Sequence, residues 1–318
     1  MRRVAALLAT VLLSGCLVAC GGDGAEPGAP KSATLVLDFT PNAVHSGIYL
    51  ALQHGYYREA GVDLEVRQPG TSSDAPKLLA SGRADFAILD IHDLGIARER
   101  GLDPVGVMPI VQRPLASVLA APQVHRPRDL EGRTAGVTGL PSDDAVLDSI
   151  VAGDGGDPAA VRRVTIGFNA VASLAARKVD AATGFWNAEG VALRRRGVPT
   201  RIFKVDRYGA PPYPELVLCA GAGTLREESA LVRSVVGATT RGYRAAVADP
   251  EAALEALTSA VPGLDRDEQA AQLRVLRPIL APAPFDFAVL QAWARWDLRH
   301  GLLRRPLDPR RAFSNRLR

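Results

Sequence analysis

Cysteine is scarce in this chain of 318 residues. Only three are present, and two of them, Cys16 and Cys20, lie within the first twenty residues. The third, Cys219, stands alone in an apolar segment, so it has no partner for a disulfide within the body of the chain. No CxxC pair and no Cys/His spacing typical of a zinc site occurs. We therefore predict no metal site, and we interpret Cys219 as a small buried apolar residue.

Aromatic residues and long apolar runs are also few. Aromatics make up 5% of the sequence, too few and too scattered to form stacking platforms for bases. Arginine outnumbers lysine 34 to 4, but its only run of three, at 194–196, suits the solvated end of a helix. These patterns exclude a nucleic-acid partner. After residue 20 no apolar run approaches the length of a membrane span.

The first twenty residues have the pattern of a bacterial signal peptide. A short basic start precedes an apolar run over 4–18, which is too short for a comfortable membrane span. Cys16 and Cys20 each follow small residues and resemble the lipobox cysteine, which receives a lipid and becomes the mature N-terminus. We favour Cys20 because a flexible glycine-rich segment follows it; Cys16, or a signal cleaved without lipidation, is the alternative. The prediction is a signal peptide over 1–20, a tether over 21–33, and an extracytoplasmic protein anchored to the cell membrane by lipid.

Strand and helix patterns alternate along the rest of the chain, which predicts an α/β fold with parallel-rich sheets covered by helices. A second unit of this kind begins near residue 121, and we expect the strand over 216–220 to close it. Beyond that point the sequence is almost entirely helical. We predict two lobes, one formed by 34–120 plus 221–318 and the other by 121–220. A ligand would lie between the lobes, which would close about a hinge.

The first polar motif follows the first predicted strand. Four side chains crowd the junction between this strand and the next helix: Asp38, Phe39, Asn42 and His45. Ligands of α/β folds bind at such carboxyl ends of strands. Phe39 either stacks on a flat ring or plugs the core at the strand end. Asn42 either contacts the ligand or caps the helix, and His45 either contacts the ligand or is a satisfied helical residue.

Asp90 and His92 form a second polar motif, directly after the third predicted strand. This position is again at the carboxyl end of a strand, so we predict that both side chains contact the ligand. Asp93 lies one residue further along, and we expect it to cap the next helix.

The segment FWNAE, residues 185–189, carries the most distinctive group of side chains. Trp186 supplies a stacking face, Asn187 a donor and an acceptor, and Glu189 a carboxylate. Together they suit the donor and acceptor groups of an aminopyrimidine. The alternative is that Trp186 packs at the edge of the lobe and Glu189 lies in the first turn of a helix, where its charge suits the helix dipole. We predict that Tyr208 closes the far side of the ligand.

These segments together resemble a family of bacterial substrate-binding proteins. The stretch LDFTPNAVHSGIYLALQHGYYREAGVDLEV is similar to the opening of proteins that deliver pyrimidine precursors of thiamine to ABC importers, and 81–94, 128–137 and 185–219 extend the similarity. Relatives include sulfonate- and nitrate-binding proteins and a yeast enzyme that makes the thiamine pyrimidine. The resemblance implies a two-lobed fold like the type II periplasmic binding proteins, with a helical C-terminal part. It also implies an ABC permease as partner and no cofactor.

The yeast enzyme gives a competing hypothesis, a pyrimidine synthase. His92 matches the position of a histidine in that enzyme. However, Ile88 stands where the enzyme has its cofactor-bearing lysine, and Cys219 alone remains of its cysteine-rich stretch. No Ser/His/Asp motif or phosphate-binding loop offers another catalytic route. We therefore predict a binding protein without catalytic residues, and we expect it to act as a monomer.

The choice of ligand depends on charge. Binders of small oxyanions favour backbone N–H groups at helix starts together with Ser, Thr or Arg. This chain instead places Asp90 and Glu189 near the predicted cleft, and carboxylates disfavour an anion and favour an amine-bearing ring. We predict a ligand of the formylaminopyrimidine or hydroxymethylpyrimidine type. The alternative is another solute, either riboflavin-like or a sulfonate, taurine or nitrate.

Overall fold

The computed structural model describes residues 29–70 and 74–317. The predicted signal peptide, the candidate lipidation residues Cys16 and Cys20, and most of the predicted tether lie outside the described residues. The end of that tether does not, because residues 31–33 belong to the first strand. The folded body therefore begins earlier than predicted. No helix within the described ranges is long and apolar enough to cross a membrane.

The described strands are, in chain order, β1 (Lys31–Val36), β2 (Val62–Arg67), β3 (Phe86–Asp90), β4 (Val105–Pro109), β5 (Ala116–Ala120), β6 (Thr134–Val137), β7 (Arg162–Thr165), β8 (Ala181–Phe185), β9 (Arg201–Lys204) and β10 (Leu216–Ala220). They form two five-stranded sheets. The first has the order β2-β1-β3-β10-β4, and the second has the order β7-β6-β8-β5-β9. The α/β prediction is thereby confirmed.

Each sheet contains one antiparallel strand, and that strand is the first one the chain forms after crossing from the other sheet. β5 runs antiparallel to β8 and β9, and β10 runs antiparallel to β3 and β4. The predicted boundaries put both strands in the wrong sheet, because residues 116–120 pair in the second sheet and 216–220 in the first. The chain crosses through 110–115 and returns through 208–215.

The described helices cover these sheets. In chain order they are α1 (Ser46–Gln53), α2 (Tyr56–Glu59), α3 (Asp74–Ala80), α4 (Ile91–Glu99), α5 (Pro141–Gly153), α6 (Ala170–Ala175), α7 (Glu189–Arg195), α8 (Ala222–Glu227), α9 (Ser229–Ala248), α10 (Pro250–Ala260), α11 (Arg266–Leu276), α12 (Phe287–Arg299) and α13 (Pro309–Ala312). The long C-terminal helices confirm the helical character predicted for this part of the chain.

The first sheet is buried on both faces, and successive residues alternate between them as a strand requires. Leu35 and Ile88 belong to the cluster that includes residues of α1 and α9. Cys219 belongs to the opposite cluster, where it is fully buried, as predicted. That second cluster continues along α12 into the second sheet, and Trp296 Nε1 lies 3.3 Å from Ser149 Oγ of α5. The helix α12 therefore contacts both lobes, although the sequence assigned it to the first.

Two glycines of α9 provide a test of how closely this helix is packed. A Cβ at Gly242 would lie 2.1 Å from the Gly47 carbonyl oxygen of α1, whereas a Cβ at Gly237 would meet nothing within 4 Å. We expect Gly242→Ala to lower the free energy of unfolding by about 2 kcal/mol, because the two helices must separate. Gly237→Ala should raise it by about 0.5–1 kcal/mol through helix propensity alone. Urea unfolding of both variants measures this, and equal changes would contradict it.

Candidate functional site

The carboxyl ends of the parallel strands of both sheets meet at the junction between the lobes. The clearest sign is a contact between Phe39, which follows β1, and Phe168, which follows β7. Their ring centroids are 5.3 Å apart, although the two strands belong to different sheets. In α/β proteins ligands bind beyond the carboxyl ends of strands, so this junction is the candidate cleft.

A compact hydrogen-bonded loop follows β1. His45 Nε2 lies 2.8 Å from Asp38 Oδ1, and His45 Nδ1 accepts the backbone N–H of Asn42 at 3.2 Å. Because Nδ1 accepts, Nε2 carries the hydrogen that is donated to Asp38. The Asn42 side chain accepts from Val44 N at 3.0 Å, which confirms the capping alternative. His45 is fully buried, so it fixes the Asp38 carboxylate, which keeps 17% exposure.

Asp90 ends β3 and caps α4, since its side chain accepts from His92 N at 2.7 Å. The expectation that Asp93 is this cap is therefore wrong; Asp93 lies inside the first turn. Burial, together with the nearby Asp90 carboxylate, raises the pKa of Asp93 to about 7. The charge of Asp38 acts in the same direction.

His92 lies in a buried cluster and not on an open surface. Its side chain is 2% exposed, and Nδ1 lies 2.8 Å from Asp297 Oδ1 of α12. The rings of Tyr213 and Trp296 pack beside it, with centroids at 4.9 and 5.5 Å. Burial alone would lower the pKa of His92, but the Asp297 carboxylate outweighs burial and raises it to about 10. The imidazole is therefore positively charged at neutral pH.

Glu215, which the sequence had not indicated, lies where the two crossing segments meet. Its carboxylate accepts the N–H groups of Leu115 and Ala116, the latter at 3.2 Å, so the return segment holds the outgoing one. Burial raises the pKa of Glu215. Burial also raises the pKa of Asp90, to about 8; the charge of His92 opposes this shift and that of Glu215 adds to it. The two carboxyls share a hydrogen bond, which requires a proton on one of them.

The segment after β8 lies at the junction between the lobes, but its side chains are engaged. Trp186 is 9% exposed, donates from Nε1 to the Pro114 carbonyl at 3.0 Å, and has Lys204 Nζ 3.5 Å from its ring centroid. Glu189 lies in the first turn of α7 and accepts from Phe185 N at 2.8 Å. Both residues thus make the contacts of the alternative without a ligand role, in which Trp186 packs at the lobe edge and Glu189 lies in the first turn of a helix. Burial raises the pKa of Glu189.

Asn187 and Tyr208 differ in placement. Asn187 is 1% exposed, and its Oδ1 has no hydrogen-bond partner within the described ranges. Tyr208 lies beside the ion pair of Arg126 and Asp154, whose charges act on its hydroxyl. That pair precedes β6 and follows α5, so it is at the amino edge of the second sheet. The structure does not bring Tyr208 to the carboxyl edge with the other predicted residues.

Helix α11 adds a third side to the junction, which the sequence had not indicated. Gln269 Oε1 accepts from Ala43 N in the loop after β1, at 2.8 Å. Arg195 of α7 pairs with Asp265 at the start of α11, at 3.6 Å. The charge of Glu268, also on α11, adds to burial in raising the pKa of Glu189. The junction is consequently rich in carboxylates, yet no described group of His, Cys, Asp and Glu could hold a metal ion.

Comparison with known proteins agrees with this architecture. A formylaminopyrimidine-binding protein of Halalkalibacterium halodurans is 30% identical over 324 aligned positions, which cover 98% of this chain and 97% of that protein. A 4-amino-5-hydroxymethyl-2-methylpyrimidine phosphate synthase of Legionella pneumophila is 25% identical, covering 73% of this chain and 74% of the synthase. The chain is thus more similar to the binding protein than to the synthase.

The fold has close counterparts among solved structures. The periplasmic aliphatic sulphonate binding protein SsuA from Escherichia coli superimposes with a TM-score of 0.74 at 17% identity, covering 89% of this chain and 97% of SsuA. This confirms the predicted fold of the periplasmic binding proteins. The family model described as NMT1/THI5 like matches residues 42–253. Together with the relative at 30% identity, this match shows that the chain belongs to the NMT1/THI5-like family.

Proposed function

We propose that this protein binds a pyrimidine precursor of thiamine, of the formylaminopyrimidine or hydroxymethylpyrimidine type, between its two lobes. The observation that carries the proposal is the similarity to a formylaminopyrimidine-binding protein along almost the whole of both chains. The acidic junction supports the choice of ligand. Carboxylates accept hydrogen bonds from ring amino groups, and they repel sulfonate and nitrate.

In this proposal the predicted side chains divide into two groups. Phe39 stacks on the ring, and the Asp38 carboxyl accepts from its amino groups, with Asn42 and Asn187 nearby. Asp90 and Glu189 already accept from backbone N–H groups and contribute negative character beside the ring. His45 and His92 are buried against Asp38 and Asp297, so they position the acidic groups and do not touch the ligand. Trp186 supports the crossing segment through Pro114. Stacking contributes affinity, and the polar groups set orientation.

A titration with four ligands tests the proposal. We expect isothermal titration calorimetry to show saturable binding of formylaminopyrimidine and hydroxymethylpyrimidine. Riboflavin tests for a larger flat ligand, and taurine tests for a small sulfonate. Binding of taurine or riboflavin without binding of either pyrimidine would overturn the proposal and indicate a different solute.

We also propose that the protein is a lipoprotein serving an ABC permease, on the basis of the N-terminal pattern and the periplasmic-binding fold. Lipidation at Cys20 predicts that Cys20→Ser abolishes incorporation of labelled palmitate in the native host, whereas Cys16→Ser retains it. The opposite result would move the lipid to Cys16. If both variants still incorporate the label, the lipid is attached to neither cysteine alone, which would contradict the assignment to these sites.

A further inference from the structure

Large apolar side chains are exposed at three described positions: Phe39, Val164 and Phe168. Exposure of an aromatic ring costs free energy unless another surface covers it at some stage. Phe39 is 41% exposed and Phe168 57%, even though the two rings touch each other. Neither ring is therefore a core residue, and both lie where the lobes meet.

The backbone holds Phe168 in this position. Gly167 has φ +57°, a left-handed conformation that favours glycine and turns the chain sharply after β7. Asn169 Nδ2 donates to the Ile166 carbonyl at 2.9 Å, which closes the turn. Ile166 packs over Gly136, where a Cβ would lie 2.5 Å from Ile166 Cδ1. The loop is thus fixed on the second sheet, and it presents Phe168 towards the first lobe.

We infer that Phe168 is a specificity-determining residue that stacks on the face of the ligand ring opposite Phe39. This inference rests on the proposed function and extends it to a residue that no motif had indicated. The two rings are 5.3 Å apart and inclined by 40°. A flat ring between them needs a separation of about 7 Å, twice the usual stacking distance. An opening of about 2 Å is small for hinged lobes.

The alternative roles of this pair are weaker on geometric grounds. A simple latch between the lobes would bury its rings, whereas Phe168 remains more than half exposed. A permease-docking surface would need an apolar area that extends beyond two rings in contact. A ligand ring inserted between the two phenylalanines covers one face of each. The measurable consequence is that binding depends on an aromatic side chain at position 168.

Calorimetry with formylaminopyrimidine tests the inference on the full chain. We expect Phe168→Ala to weaken binding about tenfold, Phe168→Leu to weaken it less, and Phe168→Tyr to bind within about threefold of wild type, because only tyrosine keeps the aromatic face. Val164→Ala is the matched control, since Val164 is exposed on the same lobe but lies within β7, before the turn that carries Phe168; its affinity should be unchanged. Thermal melting should show little change, because Phe168 is exposed.

Two results would overturn the inference while leaving the proposed function intact. If Phe168→Ala binds within twofold of wild type, Phe168 does not touch the ligand, and reduced stimulation of the permease ATPase by that variant would then identify a docking residue. If Phe168→Ala binds more tightly, Phe168 competes with the ligand for Phe39. A wild-type protein that binds no pyrimidine at all would instead refute the proposed function, and the inference with it.

Discussion

Replacing Asp297 with alanine is expected to lower the free energy of unfolding by about 3–5 kcal/mol at pH 7. The side chains of His92 and Asp297 form an ion pair at 2.8 Å with exposures of 2% and 0%. Alanine would leave a charged imidazole buried without its counter-ion, which is among the most costly changes a protein interior can suffer. Urea unfolding at pH 7 measures the loss.

The matched variant Asp297→Asn separates charge from hydrogen bonding. Asparagine keeps an acceptor for the Nδ1–H group of His92, so the histidine can release its proton and remain hydrogen-bonded. We expect a loss of about 1–2 kcal/mol, and the pKa of His92 should fall from about 10 because burial then dominates. NMR titration of the imidazole reports that fall. Equal losses of stability in the two variants would contradict the ion-pair explanation.

This ion pair also explains why His92 has a structural position here. In the sequence, His92 matches the position of a histidine in a related synthase, and we predicted that its side chain contacts the ligand. In the structure its Nδ1 is held by α12, and the rings of Tyr213 and Trp296 enclose it. Tyr213 belongs to the return crossing, and α12 contacts both lobes. His92 therefore ties the end of β3 to the segment about which the lobes would move.

The sequence predicted those elements that depend on local pattern. The bounds of β10 match the predicted 216–220, because short apolar runs bounded by polar residues specify buried strands. Local sequence does not indicate which sheet a strand joins. β10 pairs with β3 and β4, more than 100 residues earlier, and nothing in its own five residues indicates that choice. For the same reason β5 was not recognised as a strand.

The candidate site was predictable only at its strand ends. Asp38, Phe39 and Asp90 were identified because parallel strands bring their carboxyl ends together. Phe168 and Glu215 were not, because an exposed phenylalanine after an edge strand and a lone glutamate in a connection carry no periodic signal. Asp297 did have one: it follows Trp293 and Trp296 at helical spacing on an apolar face, and a carboxylate there needs a buried partner.

Raising the pH from 5 to 8 is expected to destabilise the protein through the carboxyl of Asp90. Burial raises its pKa from 3.8 to about 8. The folded state therefore keeps a proton that the unfolded state releases, so stability falls as pH rises across this range. For one proton the slope approaches about 1 kcal/mol per pH unit. The raised pKa of His92 acts in the same direction above pH 6.5, because the unfolded state then releases a proton that the folded state keeps until about pH 10.

The variant Asp90→Asn isolates the contribution of Asp90. Its amide is neutral at every pH, its oxygen still accepts from His92 N, and its NH₂ group can donate to Glu215. Compared with wild type, the variant should therefore gain about 1 kcal/mol of unfolding free energy for each pH unit between 5 and 8. Asp63→Asn is the control, because the Asp63 side chain is 62% exposed. Its free energy of unfolding should change with pH as that of wild type does. If the unfolding free energy of Asp90→Asn changes with pH as that of wild type does, Asp90 is ionised in the folded protein across this range.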